Sequence, residues 1–517
     1  MRHSLLSVAG ALVLMGIAFW GLTRIPGGFL PLEDQGYALV AVQLPDGAAL
    51  DRTERVMNAV QQAARKVPGV ARVIAIAGIS VLDNSASLSN AGVAYVMFKD
   101  WSARGKGEDL RALYVALNAA MDRIESAQTI VLIPPAIQGI GNAGGFTLQV
   151  ELRDGSDDFA KLGALTRTIL ADASGQSGMG RIATSYRAGV PQLDLDIDRV
   201  KAEKLQITTG QVFQSLATYL GSSFVGQITK FGRTFQVYVQ GDAEMRARIA
   251  QIEQLPLRTA SGQMVPLGSL ATLHTTVGPG LISLYNLYPT ATVVGAPAQG
   301  FSSGQALDLL DQICAQALPP GAGCEWTAMS YQEKAVGNQL YYAFGLGILL
   351  VYLVLAGQYE SWLAPVSIIL SVPLALVGPV SVLQALGIDN NLYTQIGIIL
   401  LIALAAKNAI LIVEVAREQR LIHGLPIAEA ALRGARTRLR PILMTSFAFI
   451  LGMVPLAIAT GAGANARRSI GITTISGMLS STLLAVLLVP SFFVVLQRFE
   501  EWRRPAKTPQ TTPAEAG

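Results

Sequence analysis

Lys407 stands in the middle of an apolar run, Gly397-Ile-Ile-Leu-Leu-Ile-Ala-Leu-Ala-Ala-Lys407-Asn-Ala-Ile-Leu-Ile-Val-Glu414. A charge near the centre of a bilayer costs roughly 2.5–3.5 kcal/mol on insertion scales, so an intramembrane lysine ordinarily faces a bundle interior and has a partner. Glu414 follows seven residues on, two helical turns, on nearly the same face, and Asn408 adds a polar neighbour. Two readings are open. Either the ammonium snorkels to an interface, or it belongs to an ion or proton relay inside a transporter. Roughly ten apolar residues precede Lys407, which favours the relay.

Holding such a lysine takes a helix bundle, and the sequence offers one. Apolar runs of about the 20 residues that a bilayer requires fall at 4–22, 340–355, 364–386, 394–415, 441–459 and 470–496. Arg2 and His3 precede the first, but Phe19-Trp-Gly-Leu-Thr-Arg24 is a poor small-residue cleavage site, so this run reads as a retained span and not a signal peptide. Pro373, Pro379 and Pro455 sit inside spans, where neighbouring helices can satisfy the freed backbone. The loop read at 417–440 carries Arg417, Arg420, Arg433, Arg436, Arg438 and Arg440 and is therefore cytoplasmic. Counting outward, both termini are cytoplasmic and a region of roughly 300 residues lies outside. Arg467 and Arg468 fall on the outer side, against the rule. The Pro/Thr-rich end, 507–517, reads as disordered.

The outer region alternates strand and helix patterns. Strands are expected at 37–44, 70–77, 91–99 and 129–133, with helices at 51–67 and 108–124. That order is β-α-β-β-α-β, a ferredoxin-like split unit. A second unit starts with a strand at 146–152, a helix at 157–174 and strands at 181–186 and 192–197. It resumes at 290–296, 303–317 and 324–329 after an inserted segment at 201–276, an economical way to add a subdomain. The fold expected is a six-span α-helical bundle plus α/β subdomains. The divisions are a first span at 1–24, subdomain one at 25–145, subdomain two at 146–195 and 280–335, the insertion at 196–279, five spans at 336–498 and a tail at 499–517.

Composition agrees with such a mixture. The 517 residues are 51% hydrophobic and 14% charged, with a mean hydropathy of +0.43. A net charge of +4 with scattered basic residues carries no nucleic-acid signal. Cys314 and Cys324 make neither a disulfide scaffold nor a zinc site, though one bridge is open in an oxidising compartment. His3, His274 and His423 assemble no metal cluster, and no cofactor is expected.

Five motifs resemble the resistance-nodulation-division transporters, in their hydrophobe/amphiphile multidrug efflux branch. They are Phe29-Leu-Pro-Leu-Glu-Asp-Gln-Gly36, Met329-Ser-Tyr-Gln-Glu333, Gln358-Tyr-Glu-Ser-Trp362, Ala406-Lys-Asn-Ala-Ile-Leu-Ile-Val-Glu414 and Arg438-Leu-Arg-Pro-Ile-Leu-Met-Thr-Ser446. The likeness runs from Met1 to about Gln497 and covers the C-terminal half of such a pump, its seventh to twelfth spans. It implies a proton/drug antiporter, not an enzyme, in a bacterial inner membrane, with two porter subdomains and a docking subdomain on the periplasmic side. It implies a homotrimer joined to a periplasmic adaptor and an outer-membrane channel, exporting small amphiphilic substrates. By resemblance Lys407 is the relay lysine, and Arg438 and Thr445 match the relay arginine and threonine of the next span. Read from the residues alone, Thr445 is a helix hydroxyl bonded to its own backbone and Arg438 a positive-inside anchor.

Two departures matter. The family's proton-carrying aspartate pair lies in the N-terminal half, which this sequence does not contain, and no other intramembrane Asp replaces it. The expectation is a half that needs its N-terminal partner, a piece of a longer protein, or an inactive truncated remnant. The strand that supplies pocket aromatics in the family reads here Val73-Ile-Ala-Ile-Ala-Gly78, followed by Ile79-Ser-Val81 and a polar loop at 82–90. Ile74, Ile76, Ile79 and Val81, with Tyr95 on the next strand, either line an aliphatic substrate pocket or are sheet core. A heavy-metal exporter would want a methionine or carboxylate ligand set, but Met97, Met121 and Met179 are scattered. The glycines at 139–145 precede no helix as a dinucleotide site requires and read as a flexible connection.

Overall fold

The computed structural model describes residues 4–141, 144–298, 300–337 and 339–503. The readings for Arg2 and His3, for part of the glycine loop (142–143) and for the 507–517 tail fall outside these residues.

The chain opens with helix α1 (Ser4–Arg24) and enters a four-stranded antiparallel sheet. Its order of elements is β1 (Tyr37–Gln43), α2 (Leu50–Arg65), β2 (Val70–Ser80), β3 (Ala86–Phe98), α3 (Leu110–Met121) and β4 (Gln128–Leu132). The strands lie in the order β2-β3-β1-β4. Thr53, Val56, Met57, Val60 and Ala64 recur on one face of α2 and bury it against the sheet. Asp109 fixes the start of α3, its carboxylate accepting from the Ala112 amide at 2.7 Å. β1 is almost wholly buried because both its faces are covered. Val40 and Val42 pack on the helices, while Leu39 and Ala41 join Val93, Ile130, Leu132, Val81 and Ala183 on the other side.

A second sheet follows, built from β5 (Phe146–Leu152), α4 (Phe159–Ser174) and β6 (Met179–Thr184). A separate compact unit, Tyr186–Ile282, then interrupts it. That unit holds β7 (Val190–Ile197), α5 (Arg199–Lys204), α6 (Thr209–Leu216), the hairpin β8 (Ser223–Lys230) and β9 (Arg233–Val239), short helices α7 (Ala243–Arg246) and α8 (Ile249–Glu253), and β10 (Pro256–Arg258), β11 (Met264–Pro266) and β12 (Ala271–Gly278). Ala202, Ile207, Val212, Leu255, Leu267 and Leu270 form its own core. The second sheet resumes with β13 (Ser283–Tyr285), β14 (Tyr288–Pro297), α9 (Ser303–Ala317) and β15 (Ala322–Trp326), and α10 (Ala328–Val336) leads back to the membrane helices. β14 pairs with both β5 and β6, and β15 pairs with β5. Cys314 on α9 and Cys324 on β15 are joined by a disulfide.

Two sequence readings change here. The strand expected at 192–197 within the second unit is β7, and it pairs with β12 inside the inserted unit. Alternating polarity marks a strand without naming its partner. The polar loop expected at 82–90 is mostly strand, since β2 and β3 pair as far as Ser80 opposite Ala86 and only 81–85 turn. Polar residues there mark exposure, not a break. Val81, for which pocket lining and sheet core were both open, lies in the cluster of Leu39, Ala41, Val93 and Ile130 at 8% exposure.

Among the described residues six helices are long and apolar enough to cross a membrane. They are α1, α11 (Gln339–Tyr359), a broken third span, α15 (Leu392–Leu421), α16 (Ile427–Ala457) and α17 (Ala464–Arg503). The third runs as α12 (Ala364–Ile369), α13 (Ser371–Ala375) and α14 (Val377–Leu386), its breaks bracketing Pro373 and falling just before Pro379. α15 and α16 outrun the apolar stretches: 30 residues give about 45 Å of helix against a core of about 30 Å. The basic loop expected at 417–440 is therefore only 422–426, with Arg433, Arg436, Arg438 and Arg440 on the first turns of α16. Hydropathy registers only the apolar part of a helix, whereas Arg, Glu and Ala extend it at little cost. For the same reason α17 continues over 499–503, where the tail was expected to begin.

Candidate functional site

Helix α15 is, with the broken third span, the most deeply packed of the spans, and it carries the candidate lysine. Asn391 caps it, its side-chain oxygen accepting from the Thr394 amide at 3.0 Å. Gly397, Ile398, Leu401, Ile402, Ala405, Asn408, Ala409, Ile412, Val413 and Ala416 are buried, several of them against α16 and α17. One narrow face stays open: Ile396, Leu400, Ala403, Lys407, Glu414 and Glu418 are exposed, at the spacing of a single helical stripe. Lys407 and Glu414 share that stripe, as their separation requires. Among the described residues neither has an ion-pair partner. The lysine was expected to turn into the bundle. It turns out of the bundle that this chain builds.

Asn408 lies about 100° round the helix from Lys407 and is completely buried, with both amide atoms lacking a hydrogen-bond partner. Arg438, half-buried on α16, has an unpartnered buried Nε. The Thr445 hydroxyl donates to the Ile442 carbonyl at 3.1 Å, the backbone bond that the residue type alone suggests. The next residue, Ser446, was not singled out from sequence. It is buried and accepts from Thr482 Oγ1 on α17 at 2.7 Å. Thr473 and Ser481, also on α17, are buried with unpartnered hydroxyls. The signal was present: hydroxyl residues crowd 473–482 in an otherwise apolar helix.

The pocket candidates divide. Ile74 is 48% exposed and pairs across the sheet with half-buried Tyr95, and Ile76 is 36% exposed opposite Val93. All lie on the face away from α2 and α3. Ile79 is half-buried beyond a bulge, and Val81 is core.

Between these two regions the linker after α1 is pinned by carboxylates. Buried Glu33 accepts from the amides of Asn465 and Ala466, at 3.2 and 2.6 Å, at the start of α17. Asp34 forms an ion pair with Arg104. The Ser303 hydroxyl donates to Glu333 at 2.8 Å and accepts from the Phe29 amide at 3.4 Å. Burial pushes the Glu333 carboxyl up to about 7, and it raises Asp389 nearby as well. A carboxyl raised in the folded state binds its proton more tightly there than when unfolded. Its contribution to stability is therefore fully present below the ordinary value of 4.5 and is lost as the pH rises through about 7. Melting temperatures of the purified chain should fall between pH 5 and pH 8, and Glu333→Gln, which cannot titrate, should fall less. Equal slopes for the two proteins would refute this.

Comparison with known proteins places the chain. It is 37% identical over 516 residues to the toluene efflux pump membrane transporter TtgB of Pseudomonas putida, covering 99% of this chain and 48% of that protein. It is 38% identical over 492 residues to the multidrug export protein AcrF of Escherichia coli, covering 94% of this chain and 47% of that one. Multidrug resistance protein MdtF of E. coli matches at 35% over 490 residues. The chain thus spans about half the length of these relatives. The AcrB/AcrD/AcrF family model matches residues 1–497, and the chain, with its six apolar helices and its exposed lysine stripe, belongs to that family of efflux permeases.

Proposed function

We propose that this chain is the C-terminal half of a proton-driven inner-membrane exporter of drugs and amphiphiles. The observation that carries the reading is Lys407. A cation on the open stripe of an otherwise buried membrane helix requires an anionic surface from outside the chain's own bundle. The aspartate pair of an N-terminal half supplies that surface, on the same polypeptide or on a second one. Lys407 then neutralises the ionised carboxylates and is released when one takes a proton. Asn408, Arg438 and Thr445 line the path, and Glu414 extends it along the stripe. Each proton descending the membrane potential delivers ~2.3 kcal/mol per 100 mV, which biases a rocking of the bundle.

In this reading the two β-α-β-β-α-β units are ferredoxin-like porter subdomains and the inserted unit is a docking subdomain. All lie in the periplasm, whose oxidising character suits the Cys314–Cys324 disulfide. The working assembly is a homotrimer with a periplasmic adaptor and an outer-membrane channel, and the lipid bilayer surrounds the spans. The substrate pocket of this reading is aliphatic, lined by Ile74, Ile76 and Ile79, with Val81 behind them and Tyr95 as an aromatic on the neighbouring strand. Few stacking surfaces mean weaker binding of flat dyes than of aliphatic amphiphiles or solvents. Liposomes holding the complete pump under an imposed proton gradient test both claims. Gradient-dependent export that favours aliphatic compounds is expected. Comparable export of planar dyes would sink the pocket assignment, and export indifferent to the gradient would sink the proton drive.

A further inference from the structure

The motif Gln358-Tyr-Glu-Ser-Trp362 has no part in the relay or the pocket, yet its Ser361 lines a partly open cavity. A cavity of about 90 Å³ lies between the α11–α12 turn and the last turns of α15 and α17. Ser361, Arg417, Gln497 and Glu500 give its polar lining, and Leu363, Val413, Leu421, Phe493 and Leu496 are among its apolar walls. At roughly 10–15 Å³ for each enclosed water, it holds far more than one solvent molecule.

The two charged groups on its lining, Arg417 and Glu500, do not pair with each other. Arg420, one turn beyond Arg417, is held by both carboxylate oxygens of Glu501, each at 2.9 Å. Arg417 has no carboxylate partner among the described residues and lies over the Tyr359 ring, 5.4 Å from its centre. Glu500 accepts from the Ser361 hydroxyl at 3.2 Å and has no cationic partner among the described residues. A guanidinium and a carboxylate therefore face one cavity without pairing with each other. Two unpaired charges of opposite sign on the lining of one cavity are complementary to a ligand that carries both signs. The position says which. Tyr352 and Trp362 pack with ring centres 6.2 Å apart, Trp362 is 71% exposed, and such aromatics mark the membrane–water interface.

We propose that this cavity binds a phospholipid headgroup carrying both a phosphate and a primary ammonium, as in phosphatidylethanolamine. Arg417 takes the phosphate, for which its planar fork of donors is suited. Glu500 takes the ammonium, and the apolar walls receive the start of the acyl chains. Phosphatidylglycerol offers the phosphate without the ammonium. Phosphatidylcholine offers an ammonium with no N–H to donate.

Native mass spectrometry of the full chain, incubated with each of these lipids, tests this. The wild type should retain one phosphatidylethanolamine that both Arg417→Ala and Glu500→Gln hold at least tenfold more weakly, while Arg420→Ala matches the wild type. Thermal melting of each variant controls for folding. Phosphatidylglycerol retention should fall with Arg417→Ala and not with Glu500→Gln. Equal phosphatidylethanolamine retention by wild type and both variants would overturn the site. Displacement of the lipid by free phosphoethanolamine at equal concentration would assign the cavity to a soluble phosphate ester and overturn the lipid assignment. Insensitivity to Glu500→Gln would overturn the ammonium contact.

Discussion

Replacing Lys407 by alanine is expected to reduce export by a complete pump to background while the protein is made and assembled in wild-type amounts. The two halves of that result have separate causes. Lys407 is exposed on the bundle of this chain and carries no packing load there, so truncation opens no cavity. Under the proposed relay, its loss falls on the partner surface. Without the ammonium, closely spaced carboxylates repel one another, their proton affinity rises, and they remain protonated through the cycle. Binding and release then no longer follow the gradient. A pump uncoupled in this way forfeits ~2.3 kcal/mol per proton at 100 mV, roughly a 50-fold difference in attainable accumulation. Drug susceptibility in cells, read beside the amount of assembled pump, measures both halves. Retained resistance would refute the relay role, and lost resistance with lost protein would make Lys407 a structural counter-ion instead.

Much of this arrangement was legible in the residues, and the failures share a cause. The spacing of Lys407 and Glu414 fixes their common face, because helix periodicity is local. What covers that face is not local, and nothing near Lys407 in sequence says whether it turns into this bundle or out of it. The same limit moved β7 to a different sheet: its alternation marks a strand, and only its pairing with β12 assigns it. It also separated Val81 from Ile74 and Ile76. All are apolar residues just before the tip of one hairpin, but Val81 meets Ala183 and Ile130 in a cluster drawn from three other strands. The two cysteines illustrate a different gap. Their pairing depends on α9 lying beside β15, which the sequence implies, and on an oxidising compartment, which it does not state. The hydroxyl residues of α17 are visible in the sequence as a composition. Their importance shows only against Ser446 across the helix interface.

Gly378→Leu should damage this protein in the opposite way to Lys407→Ala, removing the fold and with it everything else. Gly378 begins the last segment of the broken span, and a Cβ there would collide with the Ser476 carbonyl and come within 2.7 Å of Ser480 Oγ. Ser480 in turn donates to the Ala375 carbonyl at 2.9 Å, so two backbones meet with one hydroxyl between them. Lipid tails are as apolar as leucine. Helices in a membrane therefore associate through close packing and interhelical hydrogen bonds, which small residues permit. A leucine must push α14 off α17, and because the obstacle is backbone, no change of rotamer relieves it. Overpacking alone costs about 1–3 kcal/mol, and the contacts and hydrogen bond lost along the seam add to it. The same seam sets the helix that carries Lys407, since Gly397 of α15 packs on Thr473 of α17. Gly378→Leu is expected to melt well below the wild type or to aggregate on purification, with Gly378→Ala intermediate. Gly452→Leu, on an exposed face of α16 with open space around it, should behave as wild type. If Gly378→Leu melts and accumulates like the wild type, the folded protein does not hold α14 and α17 in this contact.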